Sequence, residues 1–324
     1  MAVDPYKITL LVVAGVLLTA FAWQLRPGAV VRPGALRDAA RRAGLAVTPE
    51  VEPILIARLR TQTRATLVGT IVALVAGTVF LLLVPSAGDN IAAVLLLVVL
   101  TGLGAAIGNA VAESRSALAP LGDQPRVARA PTPGRADYLS GLDRWGAPVS
   151  LTLSAAALVG LNVLVSVNPN GTFDDPVRAG LWFPSGLLWA VAFVSFLVGR
   201  MLTGRILQHG QPARDDTELA WSDALRSRTL RVFALTPAIG AFAGLAAALL
   251  TVSSAVSTES ATGRVISLAA TLTLAVISLA LAGFSLWSEF TTRTPHYLVR
   301  LWPAVVAQLR DPDRQVVAAS TWGP

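Results

Sequence analysis

Long runs of apolar residues, separated by shorter polar stretches, dominate the pattern along this chain. Seven of these runs have or approach the roughly 20 residues that a helix needs to cross a hydrocarbon core of about 30 Å. They lie at positions 8–24, 66–84, 91–111, 148–167, 181–199, 232–252 and 265–287. The pattern predicts an all-α, polytopic membrane helix bundle with seven transmembrane helices, organised as a single membrane domain over residues 1–324.

Two of the polar stretches are long enough to have a structure of their own. In 26–65, the run "ALRDAARRAG" predicts a short basic helix that stops at Gly44. Thr48 is expected to cap a second helix that continues into the second span. The stretch 112–147 is rich in Pro, Ala and Arg and is typical of an extended linker.

Apolar residues at helical spacing mark two further places. Just before the fourth span, the spacing puts Tyr138, Leu142 and Trp145 near one face of an interfacial segment. The tail, 288–324, predicts an amphipathic helix on the membrane surface that is kinked or started late by a proline. The apolar stripe of that helix is formed by Leu298, Trp302, Val305 and Leu309.

Arginine is concentrated in one set of connections. Of the 26 basic residues, all but Lys7, Arg178 and Arg264 follow the first, third and fifth spans or lie in the tail. Because basic residues are retained on the cytoplasmic side, the N-terminus is expected outside and the C-terminus inside. Signal-peptidase cleavage after Ala22 is the alternative, and it would place an arginine-rich segment outside, against this bias.

Composition narrows the classes of protein further. The chain has no cysteine and only two histidines, which excludes disulfides, thiolate catalysis and cysteine metal sites. Its only lysine, Lys7, directly precedes the first predicted span. The last span therefore has no lysine that could form a Schiff base with retinal, which excludes a seven-helix retinal protein. No cofactor or metal is predicted. The heavy use of Arg, Ala, Gly and Val indicates a bacterium with a GC-rich genome, and hence a multi-pass protein of the bacterial cytoplasmic (inner) membrane.

Two stretches resemble each other: "LRTQTRATLVG" at 59–69 and "LRSRTLRVFAL" at 225–235. Each leads from an arginine-rich stretch into an outward span, which allows a parallel three-helix repeat, 8–111 and 181–287. Arginine precedes every outward span for reasons of charge alone, however, so independent membrane-entry segments are the favoured explanation of the likeness.

Ionisable residues are missing from the centres of the predicted spans, which disfavours a proton- or sodium-coupled pump. The polar amides there are Asn109 and Asn162, expected to bond a neighbouring helix or a substrate. Glycines at four-residue spacing allow close helix packing, and we expect this of Gly104, Gly108, Gly240 and Gly244.

The acidic residues of "DDTELAWSD" form the one candidate for chemistry. Asp215, Asp216 and Glu218 are candidates to hold Mg²⁺ on a phosphorylated substrate. The favoured interpretation is that they stabilise a helix N-terminus and pair with Arg226 and Arg228. The sequence contains no Walker loop, dinucleotide fingerprint, nucleophile elbow or zincin helix.

The arginines themselves predict contact with anionic lipid headgroups. The residues expected to make it are Arg58, Arg60, Arg64, Arg226, Arg228, Arg231, Arg300 and Arg310. Nucleic acid is excluded as a partner because the arginines are spread over four segments and mixed with acids. The partners expected are membrane lipids and a protein within a membrane complex.

These features favour a non-catalytic accessory or scaffold subunit that docks a partner or anionic lipid through its cytoplasmic face. Two other functions stay open. One is a carrier or permease for a neutral or amphipathic substrate, and the other is a metal-dependent lipid-processing enzyme at the cytoplasmic surface.

Overall fold

The fold is known from a computed structural model, which describes residues 5–26, 33–49, 51–83, 91–117, 133–168, 173, 185–208, 213, 215–256, 261–290 and 294–310. Within these residues there are eleven helices. They are α1 (Pro5–Gln24), α2 (Pro33–Ala43), α3 (Glu52–Leu83), α4 (Ile91–Ala117), α5 (Arg135–Tyr138), α6 (Gly141–Val167), α7 (Leu187–Gln208), α8 (Asp216–Ala255), α9 (Ala261–Phe290), α10 (His296–Leu301) and α11 (Pro303–Arg310).

Five helices are long and apolar enough to cross a membrane: α3, α4, α6, α7 and α8. They contain the second to sixth predicted spans, so the chain is a helical, multi-pass membrane protein. The first and seventh predicted spans lie in α1 and α9, whose described apolar parts, Ala14–Gln24 and Ala261–Val276, are shorter. The full set of seven spans therefore stays a prediction.

Helices α3 and α4 form an antiparallel pair whose backbones touch. A Cβ atom added at Gly104 would overlap the carbonyl of Gly69, and one added at Gly108 would overlap the carbonyl of Ala65. Only hydrogen at these positions allows the two helices to approach so closely.

Helices α7 and α8 form a second antiparallel pair. Gly240 of α8 faces Ala192 of α7, and Gly244 faces the backbone around Ser185 one turn further. The α4 helix packs beside this pair, since Val99 lies against Gly240 as well. All four glycines that were expected to mediate helix packing thus lie between helices of this same chain.

Helix α8 is too long to be a membrane span alone. It has 40 residues, or about 60 Å at 1.5 Å per residue, twice the thickness of a hydrocarbon core. Asp215 caps its N-terminus by accepting a hydrogen bond from the backbone N–H of Glu218 at 2.6 Å. Every residue from 219 to 226 is buried, so other parts of the chain surround this end of the helix on all sides.

The surrounding elements come from the polar stretches between spans. We call the assembly of α2, α5, α10, α11 and the first four turns of α8 the end cap. Its core contains Tyr138, Trp221, Leu225, Tyr297 and Leu298. The predicted basic helix corresponds to α2, which ends before Gly44 with that residue in the left-handed conformation, at φ 66°.

Two local expectations about this region are wrong. The Thr48 hydroxyl is buried without a hydrogen-bond partner, and α3 begins at Glu52, so Thr48 is not a side-chain cap. A proline interrupts the tail as expected, since it is divided at Trp302 into α10 and α11 and Pro303 begins α11. Its expected place on the membrane surface is the second error. Leu298 of α10 is fully buried in the end cap, so its apolar face is covered by protein instead of lying on a membrane surface.

The opposite end of the bundle is closed by a short loop contact. Asn168 ends α6 in a left-handed conformation, and its side-chain amide both donates to and accepts from the backbone of Phe173. Phe173 is buried and forms a β-bridge with Val256, just past α8.

Replacing Gly104 by alanine tests the close approach of α3 and α4. The added methyl group meets a backbone carbonyl that cannot rotate away, so we expect the free energy of unfolding to fall by about 2 kcal/mol. The control is Gly102→Ala on the same helix, where a Cβ meets no atom within 4 Å. Thermal unfolding in detergent measures both variants, and equal stability of the two would contradict the proposed contact.

Candidate functional site

The side chain of Asp223 lies at the centre of the end cap and is 0% exposed. One carboxylate oxygen accepts a hydrogen bond from the Tyr138 hydroxyl of α5 at 2.7 Å. The other accepts from the indole N–H of Trp302, between α10 and α11, at 3.0 Å. One buried carboxylate thus joins three segments that are far apart in the sequence.

A buried arginine completes this cluster. Arg226 lies one turn beyond Asp223 on α8 and is 3% exposed. Burial and the neighbouring Asp223 raise the pKa of Tyr138 above its ordinary value of 10.0, and the charge of Arg226 acts in the opposite direction. Asp223 and Arg226 therefore both face the Tyr138 hydroxyl, and the opposite charges lie together in the interior.

Four further side chains each contact a backbone carbonyl of a different segment. The pairs are Trp221 Nε1 to Ala46 O at 3.1 Å, Ser227 Oγ to Tyr138 O at 3.1 Å, Tyr297 OH to Ala43 O at 2.7 Å, and His296 Nε2 to Ala136 O at 3.0 Å. Burial, together with the charge of Asp223, also raises the pKa of Tyr297. These bonds occupy carbonyls at the end of α2, in the loop after it and in α5, where few helical hydrogen bonds are available.

Ion pairs occur at the rim of the cap. Arg300 of α10 lies 3.7 Å from Asp137 of α5, and Arg231 of α8 lies 3.5 Å from Asp143 of α6. Both arginine side chains are about half exposed, so each pair contributes at most about 1 kcal/mol. They add electrostatic steering at the surface, whereas the buried Asp223 holds the interior.

A second buried acid lies next to the cap, where α4 ends. Glu113 is almost fully buried and accepts a hydrogen bond from the side-chain amide of Gln62 of α3 at 3.1 Å. This bond ties the two helices together beyond their glycine contacts.

The three acids that were candidates for a metal site lie at the start of α8. Asp215 is the N-cap, and both Asp215 and Asp216 are exposed, with Glu218 half-buried. Among the residues that the structure describes, no group of three or more His, Asp and Glu side chains is placed to hold a metal ion.

The two amides are both partly buried. Asn162 donates to the carbonyl of Leu158 in its own helix at 2.8 Å. Asn109 lies on α4, beside the close-packed Gly108.

The arginines expected at lipid headgroups differ in exposure. Arg60, Arg64 and Arg228 are exposed, and Arg58 is half-buried. Arg226 is buried beside Asp223, at the end of the stretch 219–226 in which every residue is buried. Arg231 and Arg300 make the rim ion pairs, and the side chain of Arg310 lies outside the described residues.

Sequence reasoning missed the central cluster. Leu142 and Trp145 are exposed, as an interfacial face requires, but Tyr138 points away from them to Asp223. One feature of the sequence indicates that Asp223 is buried. It follows Leu219, Ala220 and Trp221 on a helix, and a carboxylate in such an apolar setting is unusual unless it is paired.

Removal of the Asp223 carboxylate tests its role in the cap. Asp223→Ala leaves the Tyr138 hydroxyl and the Trp302 N–H buried without an acceptor, each at a cost of about 1–3 kcal/mol. We expect α10 and α11 to detach, measured as faster cleavage of this tail by trypsin, while Asp223→Asn is intermediate. Asp216→Ala on the same helix is the control, since Asp216 is exposed. Unchanged cleavage in Asp223→Ala would contradict the role.

The raised pKa values of Tyr138 and Tyr297 predict alkaline opening of the cap. Near pH 10 an unfolded chain ionises its tyrosines and the folded cap does not, so this stabilisation is present below pH 10 and is lost as the pH rises further. Tyrosinate absorbance measures the effect. The variant with Phe at both positions retains only Tyr6 of the three tyrosines as a reference. Full ionisation near pH 10 with an intact tail would exclude this prediction.

No family model, curated protein or solved structure matches the chain. What the site can do therefore follows from its own contacts. The Asp223 carboxylate and the hydroxyls of Tyr138, Ser227 and Tyr297 bond to each other, to Trp302 or to backbone, and these contacts hold separate segments together.

Proposed function

We propose that this chain is a non-catalytic accessory or scaffold subunit of the bacterial cytoplasmic membrane, and that its end cap docks a protein partner on the cytoplasmic side. The observation that supports this most is the buried Asp223 cluster. The cluster holds four otherwise separate segments together as a folded unit at one end of the bundle. An enzyme would expose such a carboxylate and hydroxyl to its substrate, whereas here they are bonded to each other inside the protein.

The cytoplasmic location of the cap rests on charge. The segments that meet in it are the arginine-rich ones, while the connections at the other end are short and mildly acidic. Retention of basic residues on the cytoplasmic side explains this division.

The chemistry expected of the partner also follows from charge. Arg60 and Arg64 are exposed and lie one turn apart on the part of α3 that leads into the cap. The chain carries a net charge of +7, so an acidic protein surface is the complement that would be attracted and oriented by this face.

Labelling of single cysteines tests the sidedness, since the natural chain has none. Ser86→Cys and Ser257→Cys lie in connections expected outside and should react with an impermeant maleimide in intact cells. Ala57→Cys and Ala304→Cys are at exposed positions of the cap end and should react only after permeabilisation. The reverse pattern would refute the orientation.

Extraction into nanodiscs from the native host, followed by intact-complex mass spectrometry, tests the docking. We expect a stoichiometric partner with the natural chain and a loss of most of it with Arg60→Gln/Arg64→Gln. Arg264→Gln, an exposed arginine at the start of α9, is the matched control at the other end of the bundle. A lone chain in every preparation would reject the scaffold role.

A further inference from the structure

Three arginines from three helices lie close enough for their charges to interact: Arg135 of α5, Arg144 of α6 and Arg200 of α7. The pKa of Arg135 is lowered by burial first, and then by the nearby charges of Arg200 and Arg144. The Nε atoms of Arg135 and Arg144 are both buried and have no hydrogen-bond partner in the part of the chain that the structure describes. Arg200 is exposed and can approach them from the surface. An anion would stabilise such a group of like charges, two of which have a buried, unsatisfied donor.

The acids nearest to this cluster are already bonded to other groups. Asp137 accepts from the backbone N–H of Gly134 at 2.8 Å and pairs with Arg300. Asp143 bonds to Ser140 and pairs with Arg231. Among the described residues, neither aspartate neutralises the three arginines.

The depth of the cluster points to the source of the anion. Leu151 of α6 lies beside the part of α7 that contains Trp189 and Ala192. Trp189 Nε1 donates to the Leu151 carbonyl at 3.1 Å, and Leu151 and Ala192 belong to the same buried cluster. About two turns further toward the cap, α6 reaches Arg144 and α7 reaches Arg200. The two guanidinium groups therefore lie at similar depth at the end of the membrane-crossing part.

Exposed apolar side chains lead up to this level on both helices. On α6 they include Trp145, 67% exposed, and on α7 Met201, 64% exposed. The Arg200 guanidinium itself lies 5.8 Å from the centre of the Phe196 ring. A tryptophan and arginines at the end of an apolar face are typical of the headgroup region of a bilayer.

We propose that Arg135, Arg144 and Arg200 bind the phosphate group of an anionic phospholipid, whose acyl chains lie along the exposed apolar faces of α6 and α7. Guanidinium groups match phosphate geometry and remain charged in such a site. The site is distinct from the partner-docking surface around Arg60 and Arg64, and either can be lost without the other.

The test uses the purified full chain in nanodiscs of phosphatidylcholine, alone or mixed with phosphatidylglycerol. Native mass spectrometry should show phosphatidylglycerol retained by the natural chain, and mixed nanodiscs should raise its unfolding temperature. In Arg135→Gln/Arg144→Gln/Arg200→Gln the retention should fall roughly ten-fold or more. In pure phosphatidylcholine this variant should unfold at no lower temperature than the natural chain, because the repulsion between the arginines is removed.

Arg60→Gln/Arg64→Gln is the control for general charge and should retain the lipid. If the triple variant is poorly folded, the single variant Arg144→Gln carries the same prediction. Equal retention by the cluster variants and the natural chain would overturn the site, and so would equal loss in the control. Stabilisation by inorganic phosphate in pure phosphatidylcholine that matches phosphatidylglycerol would overturn the lipid as the source.

Discussion

A carboxylate that is removed from water must obtain its hydrogen bonds from the protein, since an unsatisfied buried charge costs several kcal/mol. Asp223 obtains them from Tyr138 and Trp302, 85 and 79 residues away in the sequence. This requirement explains why the linker before α6 and the tail after α9 meet on α8, and why α8 continues beyond the length of a membrane span. The end cap is the structure that results.

The same requirement separates the roles of the charged residues. The buried charges of Asp223 and Arg226 are of opposite sign and lie close together, so they contribute to the fold. Where a charge is exposed, as at Arg60 and Arg64, the chain offers it no described partner of opposite sign, and it is free to act on molecules outside. The proposed scaffold role needs both: a rigid interior and an outer face with one dominant sign of charge.

A structural feature of this protein can be predicted from the sequence when its signal lies within one short segment of the chain. Five of the predicted spans coincide with helices that are long and apolar enough to cross a membrane, because twenty apolar residues in succession are a local signal. The stop of α2 at Gly44 is local too. The partners of Asp223 are not, because no pattern within one segment shows which distant donor it meets. Leu298 was correctly identified as apolar, but periodicity does not show whether lipid or protein covers such a face.

Helix α5 shows how the interior and the surface depend on each other. A helix of four residues does not form by itself, because nucleation is unfavourable. It is held by Asp223 on the Tyr138 hydroxyl, by Ser227 on the Tyr138 carbonyl, by His296 on the Ala136 carbonyl, and by Arg300 near Asp137. These contacts offset the repulsion that Arg135 meets at the first position of the helix. The buried carboxylate thus keeps an arginine beside two others of like charge, and a phosphate between them would relieve that repulsion without any change in the fold.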